Sequence, residues 1–125
     1  MDGLDEQAFS IDDWKERSPQ AFKNLFFQYY PEFFSFANSL LEEPVAARNH
    51  TTSAFFLLWK KKAYLDTGKD AKAFLYNTIR NSCLNYLTYR QNNPDAAEHL
   101  QEIQMDNDFP ADTLQELLAY VASVT

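Results

Sequence analysis

Apolar residues recur along this chain at the three- and four-residue spacing of amphipathic helices, and no alternating strand pattern interrupts them. All five prolines precede such an apolar segment, where proline suits the first turn of a helix. Ser18 and Asn93 stand immediately before two of these prolines and are N-cap candidates. The pattern predicts an all-α fold, with helices over 11–17, 19–30, 31–42, 44–62, 70–92, 94–104 and 110–123.

One loop and one change of charge divide the predicted helices. The sequence DTGKD at 66–70 predicts the loop, with Gly68 as the breaker and Asp70 as the N-cap of the next helix. Residues 93–125 contain seven acidic residues and no Lys or Arg. We therefore expect a compact helical bundle over 1–92, followed by an acidic linker and a C-terminal helix over 93–125.

The helix predicted over 44–62 carries apolar residues on more than one side. Its segment 54–59, AFFLLW, is apolar throughout, whereas a surface helix normally buries one stripe. At 100° per residue, the predicted core face consists of Ala47, Thr51, Ala54, Phe55 and Leu58. The opposite side, named here the mixed stripe, consists of Asn49, Thr52, Ser53, Phe56 and Lys60, with Trp59 at its border. Phe56 and Trp59 either pack beneath a neighbouring helix or anchor a docking face for a partner helix.

The helix predicted over 70–92 has a clearer division between its two sides. Its core-facing stripe consists of Leu75, Ile79, Cys83 and Tyr86. The opposite side gathers Asn77, Asn81, Asn85 and Thr88, and basic residues flank it at Lys69, Lys72, Arg80 and Arg90. Asn side chains hydrogen-bond to base edges and phosphates, and Arg and Lys neutralise phosphates. This side is therefore either an ordinary solvated helix face or a nucleic-acid-binding face.

Composition limits the classes of protein to which the chain can belong. Its 125 residues suffice for one domain with a modest core, and 11 Phe and seven Tyr against two Gly favour a compact fold. The single cysteine, Cys83, excludes an internal disulfide and fits a reducing cytoplasm. The acidic N-terminus is unlike a signal peptide, and no apolar run approaches the ~18 residues of a membrane span. We expect a cytoplasmic protein.

Residue spacing indicates neither an enzyme nor a cofactor site. His50 and His99 lie too far apart in sequence to suggest metal ligands, and neither a nucleophile–base pair nor a phosphate-binding Gly loop occurs. We therefore expect a non-enzyme without a metal or cofactor. The net charge of -7 conceals a mildly basic centre, because residues 21–92 contain nine basic and five acidic residues. Such a balance favours weak nucleic-acid binding.

Three segments, in this order and spacing, resemble a known family. They are AFKNLFFQYYPEFFSFANSLL at 21–41, AARNHTTSAFFLLW at 46–59 and AKAFLYNTIRNSCLNYL at 71–87. Together they resemble region 2 of the extracytoplasmic-function (ECF) sigma factors of bacterial RNA polymerase. The resemblance implies a helical domain that docks on a coiled coil of the polymerase β′ subunit. It also implies that the domain helps to melt the promoter −10 element and holds its non-template strand.

The resemblance assigns roles to residues on two of the predicted helices. On the helix over 44–62, the positions that would contact polymerase are Arg48, Asn49, Thr52, Ser53, Phe56, Trp59 and Lys60. In and before the helix over 70–92, the positions that would contact DNA are Lys69, Lys72, Tyr76, Asn77, Arg80, Asn81, Asn85 and Arg90. We expect Phe56 to be at least partly exposed, and we expect the isolated chain to bind promoter DNA weakly.

Departures from the family pattern leave an alternative open. The family's docking helix opens with Ala-Glu-Asp and places Gln-Glu before the Phe, whereas this chain has Arg48 and Asn49, then Thr52 and Ser53. Basic residues are also fewer at 88–93, and the family's −35-reading helix-turn-helix has no counterpart in these residues. The alternative is a sigma-like protein-interaction module, such as a regulator that competes for polymerase, without promoter recognition. An anti-sigma factor is a further partner that the resemblance suggests.

Overall fold

A computed structural model describes residues 18–61, 68–94 and 109–124. These residues form four helices and contain no strand, which confirms the predicted all-α fold. The helices are α1 (Pro19–Leu41), α2 (Pro44–Lys60), α3 (Gly68–Asn92) and α4 (Ala111–Val124). The helix predicted over 11–17, and residues 95–104 of the one predicted over 94–104, lie outside the described residues.

α1 is a single helix, whereas the sequence predicted two helices that meet at Pro31. It begins after Ser18, whose Oγ accepts a hydrogen bond from the backbone N–H of Ala21 at 3.1 Å. Its C-cap is Glu42, in the left-handed conformation with φ of 53°, and the Glu42 N–H donates to the carbonyl oxygen of Asn38 at 2.8 Å. The helix therefore continues through the proline and ends where a cap satisfies its last turn.

Pro31 is tolerated because the buried stripe of α1 continues across it. The proline itself is exposed, and inside a helix its ring removes one hydrogen bond at a cost of about 3 kcal/mol. Each large apolar side chain that is buried stabilises the fold by about 1.5–3 kcal/mol, which offsets that cost. Buried residues lie on both sides of the proline: Phe22, Leu25, Phe26, Tyr30, Phe33, Ala37 and Leu41. Packing against α2 and α3 therefore outweighs the local cost.

α2 is the central helix and is buried on most of its circumference. It packs against both α1 and α3. The predicted core face is confirmed, because Ala47, Thr51, Ala54, Phe55 and Leu58 are all buried. Most of the mixed stripe is buried as well. α2 is therefore not an amphipathic surface helix with one buried face and one solvent-exposed face.

α3 begins earlier than the sequence predicted. Gly68 to Asp70 are already helical, so Asp70 lies in the first turn and is not the N-cap. A carboxylate in a first turn still interacts favourably with the helix dipole. The core-facing stripe is confirmed at Leu75, Ile79 and Cys83, which are buried, and Tyr86 is partly buried against the same core.

α4 belongs to the same hydrophobic core as the other helices. Leu117 and Val121 are buried in that core, together with Phe109, which precedes the helix. An ion pair joins Lys23 Nζ of α1 to Glu116 Oε1 at 2.9 Å. The structure therefore places α4 on α1, whereas the sequence predicted that the compact core ends near residue 92. None of the described helices is sufficiently long and apolar to cross a membrane.

Candidate functional site

The outward side of α3 carries the residues predicted to contact DNA. Asn77, Arg80, Asn81 and Asn85 are exposed, as is Lys69 at the start of the helix. Asn77, Asn81 and Asn85 recur every four residues, and Arg80 stands three residues after Asn77, which aligns these four on one side of the helix. We name this surface, with Tyr76 and Thr88, the α3 face. Its predicted exposure is confirmed, and its role in binding DNA stays a prediction.

Aromatic rings of α1 hold Tyr76 at the edge of the α3 face. The Tyr76 ring makes edge-on contacts with Phe33 and Phe36, at centroid distances of 5.0 and 4.9 Å. Its side chain is nevertheless 42% exposed. A ring that is fixed on one side and open on the other is suited to stack on an unpaired base.

Leu84 also lies on the α3 face and is 48% exposed, but sequence analysis did not select it. Helical spacing could have found it, because it stands four residues after Arg80 and three after Asn81. An exposed leucine between amides adds an apolar contact for a base or for a partner side chain. The α3 face therefore combines hydrogen-bonding, cationic and apolar groups.

Lys72 and Arg90 differ from the exposed basic residues because α1 or α2 contacts their side chains. The Lys72 Nζ lies 4.5 Å from the centroid of the Tyr29 ring, a cation–π contact between α3 and α1. Tyr86 donates a hydrogen bond to Glu43 Oε1 at 2.8 Å, and Arg90 lies 3.4 Å from the Tyr86 hydroxyl and 4.0 Å from the same carboxylate. Arg90 therefore links α3 to the start of α2, and a carboxylate partly neutralises its charge.

The mixed stripe of α2 does not form the exposed docking face that the sequence predicted. Phe56 is only 3% exposed, and its ring packs against Phe22 and Phe26 of α1 at centroid distances of 6.3 and 6.2 Å. Asn49 and Thr52 are buried as well. The expectation that Phe56 is exposed is therefore wrong, because α1 packs on this side of α2.

A buried hydrogen bond explains the polar residue Thr52 in this packed interface. The Thr52 Oγ1 and the Tyr30 hydroxyl oxygen are 2.9 Å apart, and the Tyr30 hydroxyl also lies 3.5 Å from the carbonyl oxygen of Arg48. Burial raises the pKa of Tyr30 to about 12, although the bond to Thr52 and the nearby Arg48 charge oppose that shift. Thr52 thus satisfies a buried hydroxyl of the core.

Trp59 is covered by Phe109, which precedes α4. Their ring centroids are 4.9 Å apart in an edge-on arrangement, and Phe22 contacts the same indole ring at 5.5 Å. The tryptophan is 2% exposed. Three parts of the chain therefore meet at this position, and only the tertiary structure brings Phe109 to it.

The outward side of α2 differs from the predicted one by a fraction of a turn. Leu57 is 38% exposed and Lys60 is exposed, whereas Ser53 and Arg48 are partly buried. Leu57 is a large exposed apolar residue that sequence analysis placed on neither face. Of the predicted polymerase contacts, only Lys60 is therefore freely accessible.

Neither a metal centre nor a reactive thiol occurs in the described parts of the chain. No group of three or more His, Cys, Asp or Glu residues there could hold a metal ion. His50 Nδ1 forms a hydrogen bond with Ser82 Oγ, which joins α2 to α3. Burial raises the pKa of the Cys83 thiol to about 11, so this thiol is protonated and unreactive near neutral pH.

No protein-family model matches this sequence, and neither a curated protein nor a solved structure matches it. The functional assignment therefore depends on the residue pattern and on the geometry of α2, α3 and α4.

Proposed function

We propose that this protein is a bacterial ECF-type sigma factor region 2, which binds core RNA polymerase through the β′ subunit and holds the promoter −10 element during transcription initiation. The observation that carries the proposal is the α3 face. It presents amide, guanidinium, ammonium and aromatic groups together on one exposed side of a long helix. In the proposed role, this protein is not an enzyme and needs no cofactor.

Each type of group on the α3 face suits a different part of a single DNA strand. Arg80 and Lys69 are placed to neutralise phosphates, and the amides of Asn77 and Asn81 to hydrogen-bond with base edges. The Tyr76 ring offers a stacking surface of fixed orientation, because Phe33 and Phe36 support it. Sequence preference would therefore come from the amides, and most of the affinity from phosphates and stacking.

The number of available cations predicts weak binding by the isolated chain. Lys69 and Arg80 are exposed on the α3 face, whereas Lys72 and Arg90 are partly engaged in contacts with other helices. Each phosphate contact to a single strand contributes about 0.7 to the slope of log affinity against log salt. We expect a shallow slope and weak affinity until core polymerase adds its own contacts.

A titration of labelled single-stranded DNA tests this proposal. Anisotropy is measured for a −10-like strand and a scrambled strand, with and without core polymerase, using the full chain. We expect preference for the −10-like strand in the presence of core, lost in the variant Arg80→Ala with Asn81→Ala. The matched control is Lys61→Ala with Gln28→Ala, which removes one cation and one amide from exposed positions outside α3. Equal losses in both variants would contradict a specific role for the α3 face.

The small number of accessible cations on the α3 face favours a second candidate, the sigma-like interaction module without promoter recognition. Lys72 contacts the Tyr29 ring and Arg90 lies beside Glu43, so few phosphate contacts remain to hold a DNA strand. The same titration separates the candidates. Core binding without any strand preference would support the interaction module and would rule out promoter recognition.

A further inference from the structure

The segment from Phe109 to Val124, named here the cover, lies on the side of the molecule where α1 and α2 meet. Tyr120 contacts the rings of Phe26, Phe27 and Tyr30 at centroid distances of 6.3, 5.0 and 5.8 Å. Phe109 contacts Trp59 on α2 and Phe22 on α1. α4 thus lies on α1, and α2 contributes Trp59 where Phe109 packs; we name this surface, formed mostly by α1, the groove.

The attachment of the cover is narrower than that of the other helices. Among the described side chains of α4, Leu117 and Val121 are buried, and Glu116, which remains half-exposed, forms an ion pair with Lys23. α4 packs mainly on α1, whereas α1, α2 and α3 all pack against one another. The three-helix core therefore retains its mutual contacts when α4 departs.

We propose that the cover is an intramolecular competitor, which fills this groove and must leave before a partner helix can bind there. This inference rests on the proposed function, in which the partner is an amphipathic helix of the polymerase β′ coiled coil. The cover contacts Trp59 and the Tyr30 ring and so keeps both out of reach of such a helix. The displaced state is the binding-competent state.

The present occupant indicates the chemistry of the ligand that this groove accepts. It is an amphipathic helix that inserts Leu117, Tyr120 and Val121 at three- and four-residue spacing, preceded by the aromatic anchor Phe109. The 15 residue steps from Pro94 to Phe109 can span up to about 50 Å when extended. The chain is therefore long enough for the cover to leave the groove without moving α3.

The state of the cover can be followed at Trp59 in the full chain. The other tryptophan, Trp14, is replaced by Phe so that fluorescence reports Trp59 alone. Leu117→Asp places a charge in the buried side of α4 and should open the groove, which increases acrylamide quenching of Trp59. The matched control is Leu118→Asp, because the neighbouring leucine is 36% exposed and points outward. Phe109→Ala is a milder second variant, and circular dichroism checks that the helices of each variant remain folded.

A peptide of residues 109–124 then tests whether the groove binds a helix. Added to the full-length Leu117→Asp protein, the peptide should restore the low quenching of Trp59. A peptide that itself carries Leu117→Asp should have no effect. If the wild-type peptide fails to bind the opened protein, or if Leu117→Asp and Phe109→Ala leave Trp59 as protected as in the parent chain, the inference is overturned whatever polymerase does.

Binding of a β′ coiled-coil fragment tests the competition. If the open state is populated at about 10% or less, opening it raises the apparent affinity about tenfold or more. We expect that gain for Leu117→Asp and not for Leu118→Asp. We also expect loss of binding when Lys23→Cys and Glu116→Cys are joined by a short bismaleimide in a Cys83→Ala background.

These measurements give different results if the cover does not compete with the coiled coil and if polymerase is not the partner. Equal affinity of the open, closed and cross-linked proteins for the coiled coil would overturn the competition and leave polymerase binding intact. Restored protection of Trp59 by the peptide, without coiled-coil binding in any form, would support the groove and its cover and contradict polymerase as the partner.

Discussion

At the scale of single residues, burial decides whether a polar side chain serves the core or the surface. Thr52 and Asn81 both belong to polar positions of amphipathic helices, but Thr52 is buried against Tyr30 and Asn81 is exposed. The difference arises because α2 has neighbouring helices on two sides, whereas none of the other described helices covers the outward side of α3. The Tyr30–Thr52 bond and the buried titratable groups offer direct tests.

Removal of the buried hydrogen bond should destabilise the fold. Thr52→Val and Tyr30→Phe each leave one buried hydroxyl without its partner, at a cost of about 1–3 kcal/mol. The double variant should lose less than the sum of the two, because one interaction is removed in both. Urea unfolding measures all three free energies, and Thr88→Val on the exposed side of α3 is the control. Strict additivity would contradict the bond.

Alkaline pH should destabilise the protein through Cys83 and Tyr30. Burial raises the pKa of Cys83 from 9.0 to about 11 and the pKa of Tyr30 from 10.0 to about 12. The unfolded chain therefore releases these protons at lower pH, so the free energy of unfolding decreases as pH rises from about 9 to about 12. Urea titrations across this range measure the effect. Cys83→Ala should make the decrease in the free energy of unfolding near pH 9 smaller. An unchanged pH profile would contradict burial of the thiol.

At the scale of elements, helix boundaries followed packing more closely than local residue preference. Pro31 was predicted to begin a helix, but α1 continues through it; Gly68 to Asp70 were predicted as a loop, but α3 begins at Gly68. Proline and glycine disfavour a helix by about 3 and 1 kcal/mol, whereas a buried aromatic stripe contributes more. Pro44, at the start of α2, has the position that proline prefers.

Replacement of the two prolines should separate these effects. Pro31→Ala restores a hydrogen bond inside α1 and should raise the free energy of unfolding by about 1–3 kcal/mol, less than the full cost of proline because the unfolded chain becomes more flexible. Pro44→Ala should bring no gain, because the first turn lacks that hydrogen bond in any case. Urea unfolding compares the two variants. Destabilisation by Pro31→Ala would contradict a continuous α1.

At the scale of the whole molecule, the C-terminal helix α4 packs on α1 and not on the α3 face. An acidic segment 93–125 that folded over the α3 face would weaken DNA binding by direct contact. α4 instead packs on α1, so its acidic residues act on the α3 face through the electrostatic field and not through contact. Such a field is screened over about 8 Å at physiological salt.

This arrangement predicts how salt changes the effect of the acidic residues. Asp112→Asn, in the full chain, removes an exposed acidic residue of α4 and keeps the ion pair of that helix with Lys23. The change should strengthen single-strand binding at about 0.02 M salt, where screening is weak, and have little effect at about 0.15 M. Anisotropy at both salt concentrations is the measurement. A gain that persists at the higher concentration would indicate direct contact with the DNA path.

Local spacing in the sequence was enough to determine the all-α class, the core face of α2, and both sides of α3. Helical geometry alone places residues three and four positions apart on one side, so Leu75, Ile79 and Asn81 could be assigned without knowledge of any neighbour. Only the tertiary structure decided how many neighbours each helix has. Phe56 and Trp59 are buried because α1 and Phe109, distant in sequence, pack against α2. Contacts of that range depend on which buried surfaces fit together, and helical periodicity carries no information about them.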